Sequence, residues 1–182
     1  TIRYDNRVAV VTGAGNGLGR SHALMLASRG AKVVVNDLGG SVEGRGGSHS
    51  AADAVVAEIK AAGGQAVANY DSVTTPEGGK AIIQTGYDAF GRVDILINNA
   101  GNNIQNSFRK MTVEEFAAVV DVHLMGAVYC TRAAWQGMLD PYTSLGQDVF
   151  THLAAGIARR FGSRMTWQTQ RIMLTAGERL FV

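Results

Sequence analysis

The segment Thr12-Gly13-Ala14-Gly15-Asn16-Gly17-Leu18-Gly19 limits what this chain can fold into more than any other stretch. Before it lies RVAVVT, residues 7–12, an apolar and β-branched run that reads as a strand buried on both faces. After it, residues 18–29 place apolar side chains at helical spacing, and Gly30 supplies the left-handed stop. Glycines between a strand and a helix let the backbone turn sharply and approach a pyrophosphate closely. The helix start adds unpaired N–H groups and the positive end of its dipole. The spacing is Gly-x3-Gly-x-Gly rather than the common Gly-x-Gly-x-x-Gly, so the placement carries the inference, not the glycines alone.

Asp37 closes the next strand, KVVVN at residues 32–36, and stands 18 residues beyond Gly19. A carboxylate at that place accepts hydrogen bonds from the hydroxyls of an adenosine ribose and repels a 2′-phosphate. Asn36, Leu38 and Asn16 bring no compensating positive charge. The pattern points to NAD over NADP; the bland alternative is a strand-end turn residue.

Beyond Asp37 the alternation continues. Residues 50–62 read as a helix with Ser50 as N-cap and Asp53 in its first turn, ended by Gly63-Gly64. Residues 65–70 read as a third strand. Thr75-Pro76-Glu77 is a cap, a proline at N1 and an acid, opening a helix that runs to Phe90 and stops at Gly91. Residues 93–98 (VDILIN) read as a fourth strand, closed by Asn98-Asn99-Ala100-Gly101 at the sheet edge where ligands bind in open α/β folds. Thr112 and Glu115 form a capping box for a helix reaching about Met138, where Asp140-Pro141 breaks it. Strands separated by helix-length segments imply a parallel, doubly wound sheet of Rossmann type.

Composition bounds the rest. A chain of 182 residues, 46% hydrophobic and 18% charged, is one domain's worth with ample core. No apolar run approaches the ~20 residues that span a bilayer, and the N-terminal residues lack a signal-peptide pattern. A single cysteine, Cys130, excludes an internal disulfide and a cysteine-built zinc site, and it fits a reducing cytoplasmic setting. Arg159, Arg160, Arg164 and Arg171 lie in an acid-free stretch. With no nucleic-acid motif beside them, they read as a solvated face rather than a nucleic-acid patch.

Together, Thr-Gly-x3-Gly-x-Gly at 12–19, Asp37 and Asn-Asn-Ala-Gly at 98–101 resemble the short-chain dehydrogenase/reductase family. VVNDLGG at 34–40, AVANYDSV at 66–73, VHLMG at 122–126 and TRAAW at 131–135 resemble its (3R)-hydroxyacyl-CoA dehydrogenase subgroup. The likeness covers residues 3–138. It implies a Rossmann-type fold, hydride transfer between NAD and a secondary alcohol or ketone such as a 3-hydroxyacyl-CoA, and a homo-oligomer that pairs the helix of Phe116, Val120, Leu124 and Val128. It also implies that Gly13, Asn16, Gly17, Leu18 and Gly19 surround the pyrophosphate. Asp37 then takes the ribose, Asp71 and Ser72 border the adenine, and Asn99 meets the nicotinamide-side ribose. His123 falls at a helix position where the family often has asparagine, which implies a relay or positioning role. The readings include no metal, nucleic acid or membrane, and the peroxisome stays open beside the cytoplasm.

The resemblance stops short of the family's chemistry, which needs a serine and then Tyr-x3-Lys. None of Tyr4, Tyr70, Tyr87, Tyr129 and Tyr142 has lysine four residues on, and no lysine follows Lys110. In one alignment Phe150 and Ala154 take the tyrosine and lysine places; in another, residues 171–175 are a fifth strand and the chain stops before the catalytic helix. Residues 1–138 then form the dinucleotide-binding core, and 139–182 an atypical segment of the same domain with a helix over 149–161. The sheet is truncated or altered after its fourth or fifth strand, leaving an apolar edge uncovered. Three readings follow: a dehydrogenase, an NAD binder without turnover, or a tail that is an artefact.

Overall fold

The structure, a computed structural model, describes residues 2–39 and 49–143. The chain divides into two compact units, Thr1–Gly137 and Met138–Val182, and the sheet belongs to the first. The elements are β1 (Val8–Thr12), α1 (Gly17–Ser28), β2 (Lys32–Asn36), α2 (Ser50–Ala61), β3 (Gln65–Asn69), α3 (Pro76–Phe90), β4 (Ile95–Ile97), α4 (Val113–Val120), a π-helical turn (Asp121–Met125) and α5 (Gly126–Thr143). The strands form one parallel sheet in the order β3-β2-β1-β4. The chain therefore builds outward from β1 to β3, then crosses back to add β4 on the other side. That reversal places a switch point between β1 and β4, where the ends of both strands leave a crevice.

β1 is buried along its whole length. Ala9, Val11, Val33 and Val35 pack against Ala23 and Leu26 of α1 and Val55 and Ile59 of α2. Their neighbours in sequence point to the opposite face, as the two-residue repeat of a strand requires. There Gly86 of α3 comes so close to Val93 and Val10 that a Cβ would sit 2.7 Å and 3.5 Å from their methyls. Gly79 of the same helix faces the backbone of Tyr129 and Cys130 in α5. Both faces of the sheet are covered, which is why the strands read as continuous apolar runs.

Local signals set the helix ends. The Thr75 side chain accepts from the Gly78 amide ahead of Pro76, and Gly91 closes α3 with φ +79°. The Thr112–Glu115 capping box forms as expected. Three expectations need correction. His49, not Ser50, is the cap residue of α2, and it makes no side-chain cap bond. The helix expected from Thr112 to about Met138 is interrupted by the π-helical turn at Asp121–Met125. The helix also runs through Asp140-Pro141 to Thr143. Proline's φ is helical, and within the last turn it removes only one N–H donor. Residues 149–161 and 171–175, with Phe150 and Ala154, lie outside the described residues.

The fourth strand is shorter than its apolar run. The Asp94 amide donates to the Val8 carbonyl at 2.9 Å. At the other end, Asn99 and Ala100 turn away to bond Thr12. Among the described residues, no helix is long and apolar enough to cross a membrane.

Candidate cofactor site

Three turns meet at the carboxyl edge of the sheet: the glycine loop after β1, the Asp37 turn after β2, and the Asn98–Gly101 turn after β4. Thr12, at the buried end of β1, joins the first to the third. Its Oγ1 accepts from the amides of Asn99 and Ala100, each at 3.0 Å. The Asn99 Nδ2 donates to the carbonyls of Thr12 and Gly13 at 2.9 and 3.0 Å. Both turns are thus held so tightly that only glycine fits at two places. A Cβ on Gly13 (φ +61°) would lie 2.8 Å from the Ala100 Cα, and one on Gly19 would strike the Gly13 carbonyl and the Asn99 amide.

Gly17 differs in kind. Its φ is +54°, and nothing lies within 4 Å of where a Cβ would stand. The amides of Gly17, Leu18 and Gly19, in the first turn of α1, donate to no acceptor among the described residues. Asn16 caps the helix by its backbone alone, leaving its exposed side chain available. Leu18 is 74% exposed and presents an apolar surface at the same place. Free N–H groups, a helix dipole and open space beside a glycine fit a pyrophosphate group.

Asp37 is partly buried and holds two amides. Its Oδ2 accepts from Gly15 at 2.8 Å, and its Oδ1 from Gly39 at 2.7 Å. The carboxylate therefore shapes the glycine loop from the side. Gly15 must lack a side chain, because a Cβ would be 2.8 Å from Asp37 Oδ2 and 2.7 Å from the Ala51 methyl.

Asp71 is exposed just past β3, beside the end of β2. The Ser72 hydroxyl is within 2.9 Å of the Thr74 hydroxyl and accepts from the Thr74 amide at 3.2 Å. Behind them lies a pair that sequence reading passed over. Asn36 and Asn69 face each other across the β2–β3 register, are 2% and 6% exposed, and share a 2.8 Å hydrogen bond. The available signal was an asparagine ending each of two apolar strands. Thr12 was visible only as part of the loop motif, and its latch on Asn99 and Ala100 was not.

His123 stands in the π-helical turn, on the β4 side of the crevice. Its Nε2 is 2.8 Å from the carbonyl oxygen of Asn102 and 3.2 Å from that residue's amide. Its ring lies under Gly101, whose Cβ, if it had one, would be 2.8 Å from Cε1. It lines a small polar cleft with Thr12, Asn98 and Ala100. The structure thus groups Gly13, Gly19 and Asn99, ties Asp37 to the glycine loop, and sets Asp71 and His123 at opposite ends of the edge. Among the described residues, no group of three or more His, Cys, Asp or Glu is placed to hold a metal ion.

Fold and turns together define a Rossmann-type nucleotide-binding class of protein. Within that class the assignment is specific: the model of the short chain dehydrogenase family matches residues 7–161, and the chain belongs to that family. The peroxisomal hydratase-dehydrogenase-epimerase of Saccharomyces cerevisiae is 55% identical over 88% of this chain and 17% of its own length. The peroxisomal multifunctional enzyme type 2 of Mus musculus is 49% identical over 88% of this chain and 21% of its own. A solved 7α-hydroxysteroid dehydrogenase, complexed with NADH and 7-oxo glycochenodeoxycholic acid, superposes with a TM-score of 0.69 at 31% identity, covering 76% of this chain and 51% of that one. The chain therefore spans about a fifth of each of the two long relatives and about half of the solved structure.

Proposed function

We propose that this chain binds NAD along the carboxyl edge of its sheet and serves hydride transfer between that cofactor and a secondary alcohol or ketone, with 3-hydroxyacyl-CoA as the substrate class. The observation that carries the cofactor half is the Asp37 carboxylate, bonded to the Gly15 amide beside a helix start whose Gly17, Leu18 and Gly19 amides meet no acceptor among the described residues. The pyrophosphate sits on those amides, with Gly13, Asn16 and Leu18 around it. Asp37 accepts from the adenosine ribose and disfavours a 2′-phosphate. Asp71 and Ser72 border the adenine, and Asn99 the second ribose. A solved neighbour's complex with NADH supports a nicotinamide cofactor. The substrate class rests on the likeness to the two peroxisomal multifunctional relatives, whose names also add the peroxisome to the cytoplasm as a place of action.

When bound, the nicotinamide supplies the hydride acceptor. This chain's residues bind and orient it: Thr12 and Asn99 lock the two turns between which it lies. His123 acts as a positioning residue for the Asn98–Gly101 turn, because its Nε2 is already engaged with Asn102. Leu124, Val128 and Trp135, exposed at 59%, 44% and 54%, supply an apolar face for pairing with a second copy.

A second reading, binding without turnover by these residues alone, has one observation behind it: within residues 1–182 no tyrosine is followed by lysine four residues on, and no lysine follows Lys110. Fluorescence titration with NADH tests the cofactor, and oxidation of a (3R)-hydroxyacyl-CoA with NAD tests the reaction. Saturable NADH binding with turnover supports the first reading. Binding alone supports the second, and no binding overturns both.

A further inference from the structure

Asparagine is followed by glycine at one place in this sequence, Asn16-Gly17, in the middle of the glycine loop. Both residues are exposed. The Asn16 side chain makes no cap bond and no other hydrogen bond among the described residues. The Gly17 nitrogen meets no acceptor among them, and nothing lies within 4 Å of the place a Cβ would take. A side-chain amide carbon that is free to move therefore stands one residue before a backbone nitrogen that nothing shields. Other asparagines are held. Asn36 and Asn69 are buried and bonded to each other, and the Asn99 Nδ2 donates to two carbonyls. Asn106, exposed and followed by Ser107, donates to Glu115 at 3.2 Å.

These are the conditions for closing a succinimide ring. The Gly17 nitrogen attacks Asn16 Cγ: the N–Cγ bond forms, the Cγ–Nδ2 bond breaks, and ammonia leaves with the proton that the nitrogen gives up. Water then opens the ring. Cleavage at Cγ yields aspartate; cleavage at the main-chain carbonyl yields isoaspartate, with the chain running through the side-chain carbon. Nothing is oxidised or reduced. The nitrogen attacks as its anion, which the positive end of α1 stabilises. A following glycine leaves the backbone free to bend into the ring. Asn16 itself stands extended, at φ −145° and ψ 173°, and its carbonyl accepts from the Arg20 amide at 3.1 Å. That first-turn bond must loosen before the nitrogen reaches Cγ, so whatever holds the turn slows the reaction.

We propose that Asn16 is a deamidation site, that its conversion weakens cofactor binding, and that a bound dinucleotide prevents the conversion. The cofactor part rests on the NAD reading above. On that reading the pyrophosphate accepts from the Gly17 amide and pins the turn, so the ring does not close. Either product places a carboxylate beside the two phosphates, and isoaspartate also lengthens the loop backbone by one carbon. The empty loop then loses affinity with age, and the occupied loop keeps it.

The test incubates the full chain at mildly alkaline pH with and without NADH. Peptide mass spectrometry follows each asparagine, and methyltransferase labelling marks isoaspartate. Without NADH, Asn16 should convert well ahead of Asn106, with isoaspartate among the products. NADH at about ten times its Kd leaves about a tenth of the chains empty, so loss at Asn16 should slow about tenfold. Asn106, outside the glycine loop, should convert at one rate in both samples. Fluorescence titration of the aged chain should show the converted fraction binding NADH about tenfold or more weakly, because a like charge stands beside the phosphates. Asn16→Gln would have to close a larger, slower ring, so it should keep whatever affinity it starts with through the same incubation. Conversion at Asn16 no faster than at Asn106 overturns the inference. So does conversion that leaves NADH affinity intact, or that saturating NADH fails to slow. If the fresh chain binds no NADH, the NAD reading has failed, and the rates at Asn16 and Asn106 still decide whether the modification site exists.

Discussion

The Asp37 Oδ2 lies 2.8 Å from the Gly15 amide nitrogen, joining the end of β2 to the middle of the glycine loop. One carboxylate thus has two tasks, shaping the loop and standing where a ribose would be recognised. Replacing it separates them. Asp37→Ala leaves the Gly15 and Gly39 amides without their acceptor, which should cost about 1–3 kcal/mol of stability. On the proposed NAD reading it also removes the ribose acceptor and the charge that opposes a 2′-phosphate. NADH affinity should fall by tenfold or more, and NADPH affinity by less. Titration of reduced-cofactor fluorescence checks both, and equal losses would refute the ribose assignment.

Gly19 is constrained by neighbours, not by φ. A methyl there would collide with the Gly13 carbonyl and the Asn99 Nδ2, the two groups that bond each other to close the crevice. Neither is a flexible side-chain tip: one is backbone and the other is held by two hydrogen bonds. Overpacking of this sort costs about 1–3 kcal/mol. Gly19→Ala should lower the urea midpoint accordingly and abolish measurable NADH binding. Gly17→Ala meets no such neighbour, so its stability should suffer only the strain of its positive φ, while its methyl would enter the space proposed for the pyrophosphate.

Much of this was legible in the amino-acid sequence because it is local. The β1 and β2 strands, the Pro76 start, the Gly91 stop and the Thr112 capping box each depend on residues within a turn of one another. The parallel sheet followed from the alternation of β-branched runs with helical spacing. The shortness of β4 was not legible, because Asp94 and Thr12, which hold its two flanks, are more than eighty residues apart. Nor was the Asn36–Asn69 pair, since a strand sequence says which face a residue takes and not which residue stands opposite. The π-helical turn around His123 has no local signal comparable to a cap. His123 itself was reached by resemblance, while its bond to Asn102 needed the fold.

Asp94 makes an acid-sensitive lock at the opposite, amino edge of the sheet. Its side chain is only 7% exposed and accepts from Arg92, Arg7 and the Val8 amide. Burial alone would raise its pKa, but those donors outweigh it and hold the carboxyl below the ordinary value of 3.8. A lowered folded-state pKa stabilises above the unfolded value and is lost as pH falls through the folded one. Asp94→Ala should therefore cost about 2–3 kcal/mol at neutral pH, less than the full sum because both guanidinium groups are partly in water. Urea unfolding of the two proteins should converge as pH drops below 3.8, while NADH affinity at neutral pH stays unchanged because the site lies at the other end of the strands.

His123 reaches the Asn98–Gly101 turn from a different element, so its removal tests whether that turn needs outside support. His123→Ala deletes the 2.8 Å bond to the Asn102 carbonyl and the ring beneath Gly101. A single hydrogen bond is worth about 1 kcal/mol, so the protein should fold with a small loss of stability. On the proposed NAD reading the loosened turn lies on the nicotinamide side of the crevice, away from Asp37 and Asp71. Affinity for ADP-ribose, which lacks the nicotinamide ring, should stay unchanged, while affinity for NADH should fall by about threefold to tenfold, within the worth of that bond. Calorimetric titration with both ligands separates the two ends of the site. A matching loss for ADP-ribose would mean that His123 supports the sheet edge as a whole and not the turn it touches.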